Sequence, residues 1–146
     1  MTLQDQTTLV LTAWRENRGG GGVPGMQSVI NVICNRAARD SISVTAECLK
    51  RLQFSSMTAP GDPELHLGPD PLVPTDWASW EQAVMLVVMD PLADITGGAT
   101  DYYAPGGLTA TQPYTLPDGT ATVAPAKWNM ATLQFTVQIA GQLFFK

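Results

Sequence analysis

The chain has 146 residues, of which 45% are hydrophobic and 14% charged, so it can bury a core and does not resemble a disordered protein. Its net charge of −5 and its scattered basic residues argue against binding to nucleic acid or to an anionic membrane surface. The longest apolar run, Ala83–Met89, is far shorter than the roughly 20 residues of a membrane span. We expect one catalytic domain over residues 1–146, monomeric and not inserted in a membrane.

The N-terminal residues and the cysteines indicate the cellular compartment in which the protein is made. Met1–Asp5 carries no positive region before an apolar core, which argues against a signal peptide and favours synthesis in the cytoplasm. Cys34 and Cys48 are expected to be reduced, buried and structural, with a disulfide as the alternative. His66 is the single histidine, so a zinc site is poorly supported and we expect no metal or other cofactor. Because His66 lies among Pro and Gly residues, we interpret it as a solvated loop histidine rather than as a catalytic base.

Helical periodicity runs through the first part of the chain. Apolar residues at i, i+3 and i+4 spacing predict helices over residues 3–18, 25–39 and 43–51. A fourth helix, capped by Thr75 or Asp76, is expected to end before Pro91. Residues 53–74 are rich in Pro and Gly, which predicts a long loop without regular structure. Trp77 and Trp80 fall on the apolar stripe of the fourth helix and are expected in the core.

After Pro91 the pattern changes to alternation. Residues 99–104 and 135–139 predict strands, and Ala140-Gly141 predicts a two-residue turn into a strand over 143–145. Helices followed by a small antiparallel sheet define an α+β fold.

Glu16 is the residue whose position best suits chemistry. It lies in the last turn of the first predicted helix, three residues after Ala13 and beside the buried stripe. The negative end of the helix dipole and partial burial beside Trp14 would both raise the pKa of its carboxyl, as a general acid at neutral pH requires. The alternative is a solvated glutamate paired with Arg15 or Arg18, and spacing alone favours this alternative.

Five stretches, in order, resemble the SleB-like cell wall hydrolases. They are Ala13–Gly19, Gly25–Arg36, Leu52–Ser55, Asp94–Tyr103 and Val137–Phe145. For example, Asp-Ile-Thr-Gly-Gly-Ala-Thr-Asp-Tyr-Tyr over residues 94–103 matches the family's Asp-Pro-Thr-Gly-Gly-Ala-Thr-His-Tyr-Tyr. No single stretch is strong, but five in the family's order are fairly specific. The chain departs from the pattern at Arg15, where the family often has Gly, at Gly20, which replaces an acidic residue, and at Asp101 and Gln142, which replace histidines.

The resemblance implies a lysozyme-like, transglycosylase-type fold whose members cut the glycan strands of peptidoglycan. It places Glu16 at the position of the catalytic glutamate. The substrate-binding residues that it implies are Gln53, Ser55, Thr100, Asp101, Tyr102 and Tyr103. The two tyrosines point to opposite faces of a strand, so only one of them can line the cleft. Trp128, in a loop, is expected to be either a sugar platform or a lid.

The predicted function is therefore cleavage of the MurNAc-GlcNAc β-1,4 bond by lytic transglycosylase or lysozyme-type chemistry. None of the acids that could assist Glu16 has a sequence-based reason to face it, which favours a one-glutamate mechanism. These acids are Asp62, Glu64, Asp70, Asp94 and Asp101. A phage or prophage endolysin, passed across the inner membrane to the host wall by a helper pore, fits these features. The alternatives are a non-catalytic glycan-binding module and a wall-penetration component of a tail or secretion machine.

Overall fold

A computed structural model describes residues 1–17, 21–51, 53–89 and 93–146. Its α-helices are α1 Leu3–Glu16, α2 Gly22–Asp40, α3 Val44–Cys48, α4 Ser55–Thr58 and α5 Pro74–Val88. Its strands are β1 Asp101–Tyr103, β2 Thr111–Thr115, β3 Ala121–Pro125, β4 Phe135–Ile139 and β5 Gln142–Phe145. None of the described helices has the length and apolar character that crossing a membrane requires.

The strands form two small antiparallel sheets. β5 lies between β1 and β4, and β2 pairs with β3 in a separate hairpin. Ala140 and Gly141 between β4 and β5 have φ values of 50° and 80°, the positive values that a two-residue hairpin turn requires. Helices first and antiparallel strands afterwards confirm the predicted α+β class.

Several boundaries differ from the prediction because proline tolerates the first turn of a helix. α2 begins at Gly22 and includes Pro24, and α5 begins at Pro74 with Val73 as its cap. The region predicted to lack regular structure contains α4 and a 3₁₀ helix over Pro63–His66. The predicted helix ends at Arg18 and Asp90, and the inward position of Leu52, lie outside the described residues.

The β2–β3 hairpin has no counterpart in the prediction. Its first strand contains Pro113, which lacks an N–H and therefore breaks the usual strand signal. β2 pairs with only one neighbour, so the sheet tolerates this proline.

The helices share one apolar core in which α1 is central. Trp14 is fully buried, its indole N–H donates to Ser79 Oγ at 2.9 Å, and Trp80 packs edge-on against it. Trp77 is 40% exposed, so its predicted place in the core is wrong. α5 directs only residues of its second half, such as Ala83 and Val87, into the core, which leaves Trp77 in its first turn on the outer side.

β5 contributes to two further, smaller cores. Phe144 packs with Val32 of α2, whereas Phe145 faces a cluster that contains Tyr103 and Trp128. Adjacent residues of a strand point to opposite faces, so one strand serves both cores.

Of the two cysteines, Cys48 is buried and Cys34 is half-buried, and neither forms a disulfide. Burial raises the pKa of the Cys48 thiol to about 11, which suits a structural role. The expectation that both would be buried is wrong for Cys34, which is half-buried and packs against the helical core.

The connection between α1 and α2 depends on a glycine. Asn17 ends α1, and its side-chain amide donates to the Gly22 carbonyl at 2.9 Å. A Cβ added at Gly25 would lie 2.3 Å from Asn17 Oδ1, closer than nonbonded atoms can approach. The absence of a side chain at Gly25 therefore lets the end of α1, next to Glu16, approach α2.

We expect Gly25→Ala to lower the free energy of unfolding by about 1–3 kcal/mol, the usual cost of overpacking, although alanine favours helix. Thermal unfolding measures the effect. The second substitution Asn17→Ala should restore stability, and Gly61→Ala is the matched control because nothing lies within 4 Å of its Cβ position. Equal melting temperatures for Gly25→Ala and Gly61→Ala would contradict the prediction.

Asp5 fastens the start of α1 to α3. It completes a capping box with Thr2, and Thr45 donates to Asp5 Oδ1 from its backbone N–H at 2.9 Å and its hydroxyl at 2.8 Å. These donors hold the pKa of the Asp5 carboxyl well below its usual range.

A lowered pKa means that the ionised form stabilises the fold above the unfolded pKa of about 3.9 and that this stabilisation is lost at lower pH. We therefore expect Asp5→Asn to melt below wild type at neutral pH, with the gap closing as the pH falls below about 4. Melting temperatures measured across this range check it, and a gap that does not depend on pH would contradict it.

Candidate active site

Glu16 is the last residue of α1 and is half-buried. The hydroxyl of Ser56, in α4, donates to Glu16 Oε1 at 2.5 Å. Burial is the main cause that raises the pKa of the Glu16 carboxyl, and the negative charges of Asp62 and Glu64 raise it further, against the lowering effect of Ser56. A glutamate in such surroundings retains its proton to higher pH than a solvated one, as a general acid requires.

Tyr102, whose phenol interacts with the charge of Glu16, borders a polar cavity of about 380 Å³. It is lined by Arg36, Gln53, Asp101, Tyr102 and Trp128. Two aromatic rings and several hydrogen-bonding groups provide the mixed apolar and polar surface that sugar rings match.

Tyr102 connects the cavity to Glu16. Its ring stacks on Phe144 with centroids 5.5 Å apart. Burial raises the pKa of the phenol and the negative charge of Glu16 adds to that effect, which places the two groups in one electrostatic neighbourhood. Tyr103, the next residue, packs on Phe145 in the other core. The two tyrosines therefore occupy opposite faces, and Tyr102 is the one at the cleft.

Arg36 holds the two sides of the cavity together. It donates to Gln53 Oε1 at 2.8 Å and to the Thr100 carbonyl. It forms ion pairs with Asp101 at 3.7 Å and with the fully buried Glu47 at 3.9 Å. One side chain of α2 thus fixes the segment before α4 relative to β1.

Trp128 is held by its surroundings. Its ring packs edge-on against Tyr103, with centroids 5.3 Å apart, and against Phe145. Gln112 Nε2 donates to the Trp128 carbonyl at 2.6 Å. These contacts favour the platform over the lid, the two alternatives that the sequence left open.

The structure brings some of the predicted site residues together and not others. Gln53, Asp101 and Tyr102 line the cavity. Thr100 contributes its carbonyl to Arg36, and its hydroxyl donates to Asp101 Oδ2 at 2.9 Å. Ser55 is exposed and borders a different, shallow pocket, so its role in substrate binding stays a prediction.

Sequence reasoning missed Ser56. The chain reads Gln53-Phe54-Ser55-Ser56, and the resemblance drew attention to the first serine. Phe54 is buried and α4 begins at Ser55, so the second serine is the one that turns towards Glu16. The two consecutive serines were a signal in the sequence. Only the position at which α4 begins shows which of the two faces Glu16.

The acids that the sequence left as possible partners are now placed. Asp62 and Glu64 lie near enough for their charges to raise the pKa of Glu16. Asp70 is engaged elsewhere with the Leu72 N–H, and Asp94 with Thr96 and Gly98 of its own loop. Asp101 lines the cavity, where it pairs with Arg36. Among the described residues no group of His, Cys, Asp or Glu is arranged to hold a metal ion.

The protein has an α+β fold, with a half-buried glutamate that interacts with Tyr102 of an aromatic and polar cavity. The catalytic domain of the germination-specific lytic transglycosylase SleB from Bacillus anthracis has the same fold, with a TM-score of 0.66 and 21% identity, covering 100% of this chain and 97% of that one. The catalytic domain of the Bacillus cereus SleB protein matches with a TM-score of 0.62 and 21% identity, over 99% and 91%. No protein-family model and no curated protein sequence matches the chain. The fold that the sequence resemblance implied is confirmed.

Proposed function

We propose that this protein cleaves the glycan strand of peptidoglycan at the MurNAc-GlcNAc β-1,4 bond, with Glu16 as general acid and base. The observation that carries the proposal is the environment of Glu16, a half-buried carboxyl with a raised pKa that interacts with Tyr102, a residue lining the cavity. Support comes from the five sequence stretches and from a fold shared with a domain described as a lytic transglycosylase.

In the first step protonated Glu16 donates its proton to the glycosidic oxygen. The bond between C1 of MurNAc and that oxygen breaks, the oxygen leaves as the 4-hydroxyl of GlcNAc, and positive charge develops at C1. Burial of Glu16 and the nearby charges of Asp62 and Glu64 raise the pKa of its carboxyl, which favours the protonated form.

In the second step ionised Glu16 takes a proton from the group that attacks C1. If the 6-hydroxyl of the same MurNAc attacks, the product is a 1,6-anhydro sugar and no water is consumed. If water attacks, the product is a reducing sugar. A single glutamate suffices for the proton transfers of either route, in line with the hydrogen bonds that engage Asp70 and Asp94 elsewhere.

The cavity that Tyr102 borders suits one ring of the glycan. Tyr102 and Trp128 supply aromatic surface for the apolar face of a sugar. Gln53 and Asp101 supply hydrogen-bonding groups at its rim, and Arg36 holds both of them in place. We propose these residues as the substrate-binding set.

Mass spectrometry of digested peptidoglycan tests the proposal. Purified protein incubated with isolated sacculi should release muropeptides cut at MurNAc-GlcNAc bonds. Anhydro products are one water lighter than hydrolysed products, so the same spectrum reports the attacking group. Binding to sacculi without release of fragments would contradict the proposal and identify a glycan-binding module instead.

A further inference from the structure

Arg15, the residue before Glu16, fastens two distant segments to α1. Its Nε and Nη2 donate to the Leu67 carbonyl at 3.0 and 2.8 Å, and its Nη1 donates to the Ser56 carbonyl at 3.0 Å. Nη1 also lies 3.4 Å from the sulfur of Met57. One guanidinium therefore holds both ends of the segment from 56 to 67 against the C-terminal end of the helix.

This arrangement holds Ser56 through two of its groups. Its carbonyl accepts from Arg15, and its hydroxyl donates to Glu16 Oε1 at 2.5 Å. Arg15 and Glu16 are consecutive residues, so the position of the serine hydroxyl is set by the same turn of helix that carries the carboxyl. Without the contact to its carbonyl, Ser56 would be held only by the short helix α4 and by its own hydrogen bond to Glu16.

The clamped segment also carries negative charge. Asp62 and Glu64 lie between the two anchoring carbonyls, and their charges interact with both Glu16 and Arg15. Tyr102 is the titratable group that approaches Glu16 from β1. Arg15 is thus a cation that interacts with the two carboxylates near the proposed acid, Glu16.

We propose that Arg15 is a positioning residue for Glu16: by clamping residues 56–67 onto α1, it fixes the hydroxyl that hydrogen bonds to the acid and counters the charges of Asp62 and Glu64. The inference rests on the proposed function for its catalytic consequence. It concerns a position at which this chain departs from the pattern of the SleB-like hydrolases, where glycine is frequent.

The experiment compares Arg15→Gln and Arg15→Lys with wild type by NMR titration of the Glu16 carboxyl carbon. Arg15→Gln is expected to raise the pKa of Glu16, because Ser56 is released and the two carboxylates lose their cation. Arg15→Lys keeps the charge but not the fork that reaches two carbonyls, and should raise it less. Arg39→Gln, on an exposed arginine of α2, is the matched control and should leave it unchanged.

Activity on sacculi supplies a second measurement. Arg15→Gln should lower kcat by up to about a hundredfold with little change in KM, because misplacing a catalytic group by an ångström has such an effect. The fall of activity at high pH should move to higher pH with the pKa of Glu16. Arg15→Lys should recover part of kcat.

A lower melting temperature with an unchanged pKa of Glu16 and an unchanged kcat would overturn the proposal and leave Arg15 as a structural residue only. If Arg15→Gln fails to fold, Ser56→Ala removes the hydroxyl alone, and an unmoved pKa of Glu16 in that variant overturns the proposal as well. The titration needs no catalysis. A wild-type protein that is inactive on peptidoglycan would therefore contradict the proposed function while the role of Arg15 is still decided.

Discussion

Glu16→Gln is expected to lose at least about a hundredfold in the rate of peptidoglycan cleavage, since general acid catalysis contributes typically 10²–10⁴-fold. Glutamine retains the shape of the side chain and can still accept the Ser56 hydroxyl, but it has no proton to transfer. Release of soluble muropeptides from sacculi measures the rate, and thermal unfolding of the same sample shows that the variant is folded.

Glu81→Gln is the matched control. Glu81 lies on the exposed side of α5, where it accepts the indole N–H of Trp77, and it does not line the cleft. This variant should cleave at the wild-type rate. A Glu16→Gln protein with near wild-type activity would move the chemistry to another residue and leave the similarity to the SleB domains as one of fold alone.

The Glu16→Gln substitution also has a pH-dependent effect on stability. A raised pKa means that folded wild type binds the Glu16 proton more tightly than the unfolded chain does. Its contribution is therefore complete below the unfolded pKa of about 4.3 and is lost as the pH rises through the folded pKa. Since glutamine does not titrate, the melting temperature of Glu16→Gln should exceed that of wild type by more at neutral pH than at about pH 4.

Arg36→Met is expected to lower the free energy of unfolding by about 3 kcal/mol, which is near the lower end of the cost of breaking a buried ion pair. This loss corresponds to a fall of about 6–12 °C in Tm. The substitution leaves Glu47, whose side chain is fully buried, with Lys50 as its cationic contact at 3.4 Å. Methionine retains an apolar stem but removes the guanidinium that lies over the Phe54 ring, 5.8 Å from its centroid. Chemical denaturation and thermal unfolding measure the loss.

The double variant Arg36→Met/Glu47→Gln separates charge from packing. Removing the second charge as well should recover more than half of the lost stability, because the uncompensated carboxylate is the main source of the loss. Losses that simply add in the double variant would contradict this account. Neither variant should bind substrate as wild type does, because both release Gln53 and the Thr100 carbonyl from Arg36.

The sequence predicted the helices and strands in which apolar residues recur at a regular spacing. The apolar stripe of α1 placed Glu16 at the end of that helix beside the core, and the alternation over Phe135–Ile139 gave β4 and its turn into β5. Trp77 shows the limit of this reasoning. A stripe of apolar residues identifies one face of a helix but not how far round the helix the core extends, and α5 buries a narrower face than its composition indicates.

The resemblance directed attention to Glu16, which spacing alone leaves as a solvated glutamate, and to Gln53, Asp101 and Tyr102, which line the cavity. The contacts that tune Glu16 come from the region between 53 and 74, where Pro and Gly remove any periodicity. Ser56 and the carbonyl of Leu67 meet α1 because of how that segment folds back on Arg15. Such contacts join residues about forty to fifty positions apart, and no local pattern encodes them.

The location of β5 has a consequence for the order of folding. Its register pairs Phe144 with Tyr102 and Phe145 with Asp101, so one wall of the cleft acquires its neighbours from the last residues of the chain. Pairings between distant parts of a sequence form slowly compared with helices. A chain emerging from the ribosome therefore has α1 and Glu16 long before it has the strand that supports Tyr102, and the glycan cleft is assembled only after synthesis has passed Phe145. In this protein the proposed catalytic acid is made early and its binding surface late, so a growing chain lacks the assembled cleft.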